Sequence, residues 1–350
     1  MNDSNSPDYL LLYCTLTLRC NYRCPYCYLN AYDGRLDWFN DHSPEEWMEA
    51  LLRSFPNRRL QFELQGGEPL IYKPALEFLR ILVDSDNVDY IRVNTNGTTV
   101  DKLARDLPSP KIRLMCTYHP SQVALDEFLG RLVVAQKAGI VEMAKVVVVP
   151  EEFDRVKIED MVRLFADEGV FLDVAYDWTR ARDYRSEDLR FLFSLRTKRD
   201  AEFAMKCETL GQRCAAGVNY AEIINTGDVL RCQDRGLLGN VFKTVHLLEK
   251  PAPCPLIYCC CINRYSHMLS WRCGDHHLAN FVARNKKHRE GLPETNWTTE
   301  LSDVAFQRLV DPPRSVAARK RGLEMRAEHF AKRVRNKVAK IKRQIASKQR

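Results

Sequence analysis

Strand-like and helix-like segments alternate along the first 200 residues, and this alternation limits the possible folds more than any other feature. Apolar runs typical of strands lie at 9–18, 60–65, 89–95, 111–117, 144–149 and 170–176. Helical patterns separate several of them, and Ser43-Pro44-Glu45-Glu46 has the capping residues of a helix start. Such β/α repeats favour a parallel sheet with right-handed crossovers. Six units are too few for a closed eight-stranded barrel, so we predict an α/β fold with a (β/α)6 partial TIM barrel over residues 1–200.

The pattern changes beyond residue 205. Two strand-like runs, 220–225 and 228–232, flank Thr226-Gly227, which predicts a β-hairpin with a glycine turn. Cysteines are frequent from residue 207 to residue 273, so we predict a small second domain over 205–275. Residues 276–313 are expected to be a polar connecting segment, and residues 314–350 a basic helical tail.

Composition narrows the function classes. No apolar run approaches the roughly 18 residues of a membrane span, and the first eight residues do not have the pattern of a signal peptide. We therefore expect a cytoplasmic protein, in which thiols stay reduced. The 13 cysteines then predict metal ligands rather than disulfides, with Cys14 and Cys116 as core residues.

The net charge of +7 is unevenly distributed. Residues 314–350 hold 14 of the 53 basic residues and two of the 46 acidic ones, so the rest of the chain is net negative. Apolar residues recur on one helical face of this tail, at Phe330, Val334, Val338, Ile341 and Ile345. Such a helix can dock on the acidic body, bind an anionic membrane surface or contact nucleic acid, and the first two alternatives are favoured. Nucleic acid is not an expected partner.

Three cysteines with CxxxCxxC spacing, Cys20, Cys24 and Cys27, follow the first strand. Three thiolates on one loop can hold three irons of a [4Fe–4S] cluster and leave the fourth iron open. Structural zinc usually needs four ligands, and no fourth cysteine or histidine is near this loop along the chain. We therefore expect an iron–sulfur cluster rather than zinc.

This spacing, with Tyr26 just before the third cysteine, resembles the radical S-adenosylmethionine (radical SAM) superfamily. The resemblance implies a [4Fe–4S] cluster held by Cys20, Cys24 and Cys27, whose open iron chelates the methionine end of SAM. It also implies reductive cleavage of SAM to a 5′-deoxyadenosyl radical, which takes a hydrogen atom from the substrate. An external one-electron reductant of the flavodoxin or ferredoxin type would then be a partner.

Gln65-Gly66-Gly67-Glu68-Pro69 follows the second strand and resembles the GGEP motif of the family, which binds the amino group of SAM. Glycines let backbone approach a ligand closely. The carboxylate of Glu68 would accept a hydrogen bond from the ammonium group. An ordinary turn is the alternative interpretation.

Further polar residues follow later strands. Thr95-Asn96-Gly97 resembles the ribose-contacting segment of the family, and Tyr26 would pack near the adenine. Lys145 is expected either to meet the SAM carboxylate or to be a solvated strand end. His119, in Thr117-Tyr118-His119-Pro120, favours a structural role over a catalytic one, because a neutral imidazole finds hydrogen-bond partners easily.

The later cysteines resemble the auxiliary-cluster region of radical SAM proteins, the SPASM or shorter twitch domain. Cys214 and Cys232 flank Gly227 as Cys-x12-Gly-x4-Cys, and a Cys-x4-Cys-Cys-Cys run follows. The resemblance implies a second [4Fe–4S] cluster with ligands drawn from Cys214, Cys232, Cys254, Cys259 and Cys261. The Cys-x2-Cys-x5-Cys-x3-Cys run of two-cluster members is missing, which favours a single auxiliary cluster. Cys207 and Cys273 could supply ligands, and structural zinc is the alternative.

Together these features predict a radical SAM oxidoreductase that oxidises or rearranges its substrate. The first strand begins by Tyr9, with no peptide-recognition domain before it, which favours a small carbohydrate, an aminocyclitol or a lipid-linked sugar. A maturase of ribosomal peptides is one alternative. A zinc-containing nucleic-acid-binding protein is another, although it does not explain the Gly66-Gly67-Glu68-Pro69 segment.

Overall fold

The computed structural model describes residues 9–27, 37–198, 200–201, 209–232, 235–257, 277–290, 298–303 and 305–306. The strands are β1 (Tyr9–Thr17), β2 (Arg59–Gly66), β3 (Val88–Thr95), β4 (Ile112–Tyr118), β5 (Val141–Val148), β6 (Leu172–Tyr176), β7 (Arg213–Cys214), β8 (Tyr220–Ile223), β9 (Asp228–Cys232), β10 (Arg235–Asn240) and β11 (Ala252–Pro253). The helices are α1 (Pro44–Ser54), α2 (Lys73–Asp84), α3 (Val100–Asp106), α4 (Leu125–Lys137), α5 (Arg155–Asp167), α6 (Ser186–Ser194) and α7 (His277–Glu290).

Nine strands form one sheet in the order β10-β9-β8-β1-β2-β3-β4-β5-β6. Strands β1 to β6 are parallel to their neighbours. Within the described residues β6 and β10 are edge strands, so the sheet is open there. This arrangement confirms the predicted α/β class with a partial barrel of parallel strands.

The two faces of the sheet differ in chemistry. Alternate residues such as Leu12, Leu64 and Val93 are fully or almost fully buried and belong to the main apolar core. Helix α1 closes this face with Trp47, which stacks on Trp38 at 4.1 Å between ring centroids. The capping box predicted at Ser43 is present, because its hydroxyl accepts from the backbone N–H of Glu46 at 3.3 Å.

The opposite face carries charged and amide side chains. Glu63 and Arg92 are in register on β2 and β3, and their ion pair has a distance of 3.0 Å. Asp173 on β6 accepts two hydrogen bonds from Arg196, both 2.8 Å long. The sheet therefore packs an apolar core on one side and presents polar groups on the other.

The predicted hairpin is present as β8 and β9, which pair antiparallel. Its turn has Gly227 at a φ of 81°, a conformation that favours glycine. Strand β8 also pairs in parallel with β1, with Leu11 opposite Tyr220, so the hairpin extends the barrel sheet. The division into domains at residues 200–205 stays a prediction.

Three helices, α3, α6 and α7, were not predicted. Helix α3 has only seven residues, and α7 lies in a stretch whose polar composition hides its packing face. Helix α7 contacts the polar side of the sheet, where Phe281 packs edge-on against Phe171 at 5.9 Å between centroids. The predicted tail, 314–350, lies outside the described residues. Among the helices that are described, none has the length and apolar character to cross a membrane.

Candidate functional site

The loop with the three cysteines leaves the carboxyl end of β1 and is anchored there. The hydroxyl of Thr17 donates to Asp37 at 2.5 Å, and Arg19 forms an ion pair with the same carboxylate at 2.7 Å. The backbone N–H of Cys27 donates to the carbonyl of Cys24 at 3.1 Å, which makes a tight turn around the last two cysteines. Ligand sites in parallel α/β sheets lie at this end of the strands.

The glycine segment after β2 lies directly against this loop. Gly67 N–H donates to the carbonyl of Thr17 at 2.8 Å, and Glu68 N–H donates to the carbonyl of Arg19 at 2.7 Å. A Cβ atom at Gly67 would lie 2.2 Å from the carbonyl oxygen of Arg19, and one at Gly66 would lie 2.1 Å from that of Thr17. Only glycine permits this approach, so both glycines are explained by packing of the two segments.

Glu68 is fully buried, and both of its carboxylate oxygens accept hydrogen bonds from the protein. Leu70 N–H donates to Oε1 at 3.0 Å and Asn96 N–H donates to Oε2 at 2.6 Å, while the Thr95 hydroxyl donates to the same carboxylate at 2.9 Å. Burial raises the pKa of Glu68 to about 7, although the three donors oppose this. The carboxylate thus joins the glycine segment to the end of β3. Its predicted contact with an ammonium group stays a prediction.

Pro69 begins the 3-10 turn Pro69–Ile71 and is buried. Asn96 connects the end of β3 to the cysteine loop. Its amide donates to Asn21 Oδ1 at 2.8 Å and lies 3.8 Å from the sulfur of Cys20. The same sulfur accepts from the backbone N–H of Tyr22 at 3.4 Å. Burial raises the pKa of Cys20, and these two donors partly offset the rise.

Cys24 is the most buried of the three loop thiols, with 7% of its surface exposed. Burial raises its pKa to about 11, with further contributions from the neighbouring thiols of Cys27 and Cys20. The three thiols are thus near enough to affect one another's ionisation. Soft thiolates grouped on one loop are the donor set that iron–sulfur clusters use, so these residues fit such a cluster.

His119, which follows β4, is the residue whose place at the site the sequence did not indicate. Its Nδ1 atom lies 3.4 Å from the sulfur of Cys24 and 2.9 Å from the hydroxyl of Tyr26. No histidine is near the cysteine loop along the chain, but His119 lies beside it in three dimensions, because the fold brings together positions 95 apart. In the described part of the chain, however, no three cysteine, histidine or acidic side chains converge as a formed metal site does.

Lys145 lies on β5, in register with Thr117 on one side and Asp173 on the other. Burial lowers the pKa of Lys145, and the carboxylate of Asp173 partly offsets this. Three strands, β2, β3 and β4, lie between β1 and β5 in the sheet, and the described residues show no hydrogen bond or ion pair between Lys145 and the cysteine loop. Its predicted contact with the SAM carboxylate stays a prediction.

The structure also groups three of the later cysteines. Cys214 is paired with Ala252 across β7 and β11, and Cys254 follows directly, with its N–H donating to Gln212 at 2.8 Å. Cys232 ends β9, and its pKa is raised to about 12 by burial and by the nearby thiols of Cys214 and Cys254. All three are buried. The other predicted positions, Cys207, Cys259, Cys261 and Cys273, lie outside the described residues.

The sequence around this site is similar to that of a known protein family. Residues 14–126 match the family model described as "Radical SAM superfamily". Residues 14–126 therefore have the sequence pattern of a radical SAM domain. The matched range contains the cysteine loop, the glycine segment and Asn96, so the three segments that meet in the structure belong to one family pattern. Proteins with this domain use a [4Fe–4S] cluster and SAM.

Curated relatives match only part of the chain. A GTP 3',8-cyclase of Syntrophomonas wolfei is 34% identical over 94 residues, which are 27% of this chain and 28% of that protein. A GTP 3',8-cyclase of Peptoclostridium acidaminophilum is 25% identical over 167 residues, which are 45% of this chain and 51% of that protein. The chain thus spans about half or less of the length of these two relatives.

Parts of the chain are also similar to solved structures of other proteins. "Crystal structure of Streptococcus suis SuiB bound to S-adenosylmethionine" is 17% identical, with a TM-score of 0.45, and the match covers 67% of this chain and 64% of that one. "Native anSMEcpe with bound AdoMet and Kp18Cys peptide" is 15% identical, with a TM-score of 0.48, and covers 83% and 99%.

Proposed function

We propose that this radical SAM protein is an enzyme that cleaves SAM reductively at the cysteine loop and uses the radical to oxidise or rearrange a polar substrate. The observation that carries the proposal is the packing of the glycine segment on the loop of Cys20, Cys24 and Cys27. At the start of that loop, the carbonyl of Thr17 accepts from Gly67 N–H at 2.8 Å, and the carbonyl of Arg19 accepts from Glu68 N–H at 2.7 Å. A [4Fe–4S] cluster held by Cys20, Cys24 and Cys27 would supply the one-electron chemistry for cleavage of bound SAM, and an external flavodoxin-like or ferredoxin-like protein would provide the electron.

The protein residues have distinct roles in this proposal. The thiolates of Cys20, Cys24 and Cys27 hold three irons. Glu68 holds the glycine segment, to which it belongs, beside the end of β3 around the SAM position, because its buried carboxylate accepts from the backbone N–H groups of Leu70 and Asn96. Lys145 would provide a cation for the SAM carboxylate from the wall of β5.

The chemistry of the polar face of the sheet, opposite the apolar core, favours a polar substrate. Glu63, Arg92 and Asp173 lie on this face with their charges paired, and Asn94 donates to Glu63 at 3.1 Å. A buried charge costs free energy unless neighbouring groups form hydrogen bonds with it, so polar neighbours are favoured over apolar ones. This face therefore suits hydroxyl-rich substrates such as a carbohydrate, an aminocyclitol or the head of a lipid-linked sugar better than an apolar peptide segment.

The predicted auxiliary cluster is part of the proposal, with Cys214, Cys232 and Cys254 as three ligands in a domain over 205–275. Three buried thiols, of which Cys232 is electrostatically coupled to the other two, support it. Such a cluster could accept the electron that an oxidised substrate gives up, which would make the enzyme an oxidoreductase.

The proximity of His119 to Cys24 favours one rival function, a structural zinc site of the three-cysteine, one-histidine kind. Metal and sulfide analysis of anaerobically purified protein separates the two. The proposal requires iron and acid-labile sulfide, followed by release of 5′-deoxyadenosine when SAM and a strong reductant are added. Stoichiometric zinc without iron, or an iron-loaded protein that releases no 5′-deoxyadenosine, would refute it. Cys24→Ala protein should release none.

A further inference from the structure

Two side chains that are not predicted metal ligands, Tyr26 and His119, lie close to the sulfur of Cys24. Tyr26 lies two positions after Cys24, and the two side chains are hydrogen-bond partners. A phenol hydroxyl can donate its hydrogen to a thiolate sulfur. His119 reaches both groups from the other side through one nitrogen, Nδ1.

The ring of His119 is held in place by several contacts. It lies nearly parallel to the ring of Tyr26, with 18° between the planes and 5.9 Å between the centroids. The edge of Tyr22 packs against it at 5.8 Å. The segment carrying it is tied to the same loop, because Gln122 accepts from the backbone N–H of Arg23 at 3.0 Å. This rigid placement is what a hydrogen-bond donor to a metal ligand requires.

We propose that His119 and Tyr26 form a hydrogen-bond relay to the sulfur of Cys24 that sets the reduction potential of the cluster bound there. A ligand thiolate only accepts, so the relay has the Tyr26 hydroxyl donating to Cys24 Sγ and His119 Nδ1–H donating to the tyrosine oxygen and to the sulfur. Hydrogen bonds to a ligating sulfur withdraw charge from it and make the reduced cluster more stable. His119 and Tyr26 are thus positioning residues, and this inference rests on the proposed function.

The test is a redox titration of the full chain with reconstituted clusters, in which electron paramagnetic resonance measures how much of the cluster is reduced at each potential. The cluster to follow is the one whose signal changes when SAM is added. Tyr26→Phe removes only the hydroxyl, and His119→Ala removes the nitrogen, so both should shift the midpoint potential to more negative values at unchanged iron content. His119→Asn should recover part of the shift, because its amide nitrogen can replace Nδ1. Tyr22→Phe is the matched control and should leave the potential unchanged.

Several results would overturn the relay. Potentials equal to that of the natural protein in both Tyr26→Phe and His119→Ala would do so, as would a positive shift. Loss of iron from His119→Ala would make the imidazole a ligand or a folding element instead. If the natural protein itself binds no iron–sulfur cluster, the proposed function fails before the variants are compared, which keeps the two failures distinct.

Discussion

Replacement of Glu68 by alanine tests the internal role that the structure gives this carboxylate. The change leaves three donors without their acceptor in a fully buried place, the N–H groups of Leu70 and Asn96 and the hydroxyl of Thr95. A buried donor without an acceptor costs about 1–3 kcal/mol. Allowing for partial relaxation, we expect the free energy of unfolding to fall by about 3–5 kcal/mol at pH 5.

The loss should depend on pH, because burial raises the pKa of Glu68 from 4.5 to about 7. Between these values the folded state holds a proton that the unfolded state has lost, so this group stabilises the natural protein less as the pH rises. A shift of this size corresponds to about 3.4 kcal/mol in full, of which about 2.5 kcal/mol falls between pH 5 and pH 8. The difference between the natural protein and Glu68→Ala should shrink by that amount over this range.

Urea unfolding of the metal-free protein at pH 5 and pH 8, followed by circular dichroism, measures both quantities. Glu77→Ala is the control, because Glu77 is partly exposed on α2 and forms a surface ion pair with Lys73 at 3.7 Å. That variant should change the unfolding free energy by less than about 0.5 kcal/mol at either pH. A Glu68→Ala protein within about 1 kcal/mol of the natural one at pH 5, or a loss that grows with pH, would refute the reasoning.

Three other predictions follow from the same structure and sequence. Gly67→Ala should detach the glycine segment from the cysteine loop and abolish SAM binding in equilibrium dialysis, because its Cβ would lie 2.2 Å from the Arg19 carbonyl oxygen. Gly130→Ala is the control: an added Cβ there meets no atom within 4 Å, so this variant should keep SAM binding and gain about 0.5–1 kcal/mol of stability. Cys214→Ala should lower the iron content from about eight to about four per chain, and an unchanged content would exclude Cys214 as a ligand. If the tail binds an anionic membrane, the full chain should sediment with anionic liposomes in a salt-sensitive way and a chain ending at Pro313 should not; equal sedimentation would exclude that role.

Local sequence determined the order of the elements and the positions of the chemical groups along them. Apolar runs and helix caps are properties of short segments, so β1 to β6 and the capping box at Ser43 could be read directly. The hairpin at Gly227 could be predicted for the same reason. The cysteine loop and the glycine segment were also visible, because each is contiguous in the chain.

Contacts between distant segments were decided only by the tertiary structure. Whether Glu68 faces a ligand or the protein depends on where the end of β3 lies, and the fold places two donors from Thr95 and Asn96 on its carboxylate. His119 reaches Cys24 because parallel pairing brings the carboxyl ends of β1 and β4 to the same edge of the sheet. No local pattern of apolar and polar residues carries that information, since burial periodicity describes one segment and not its neighbours.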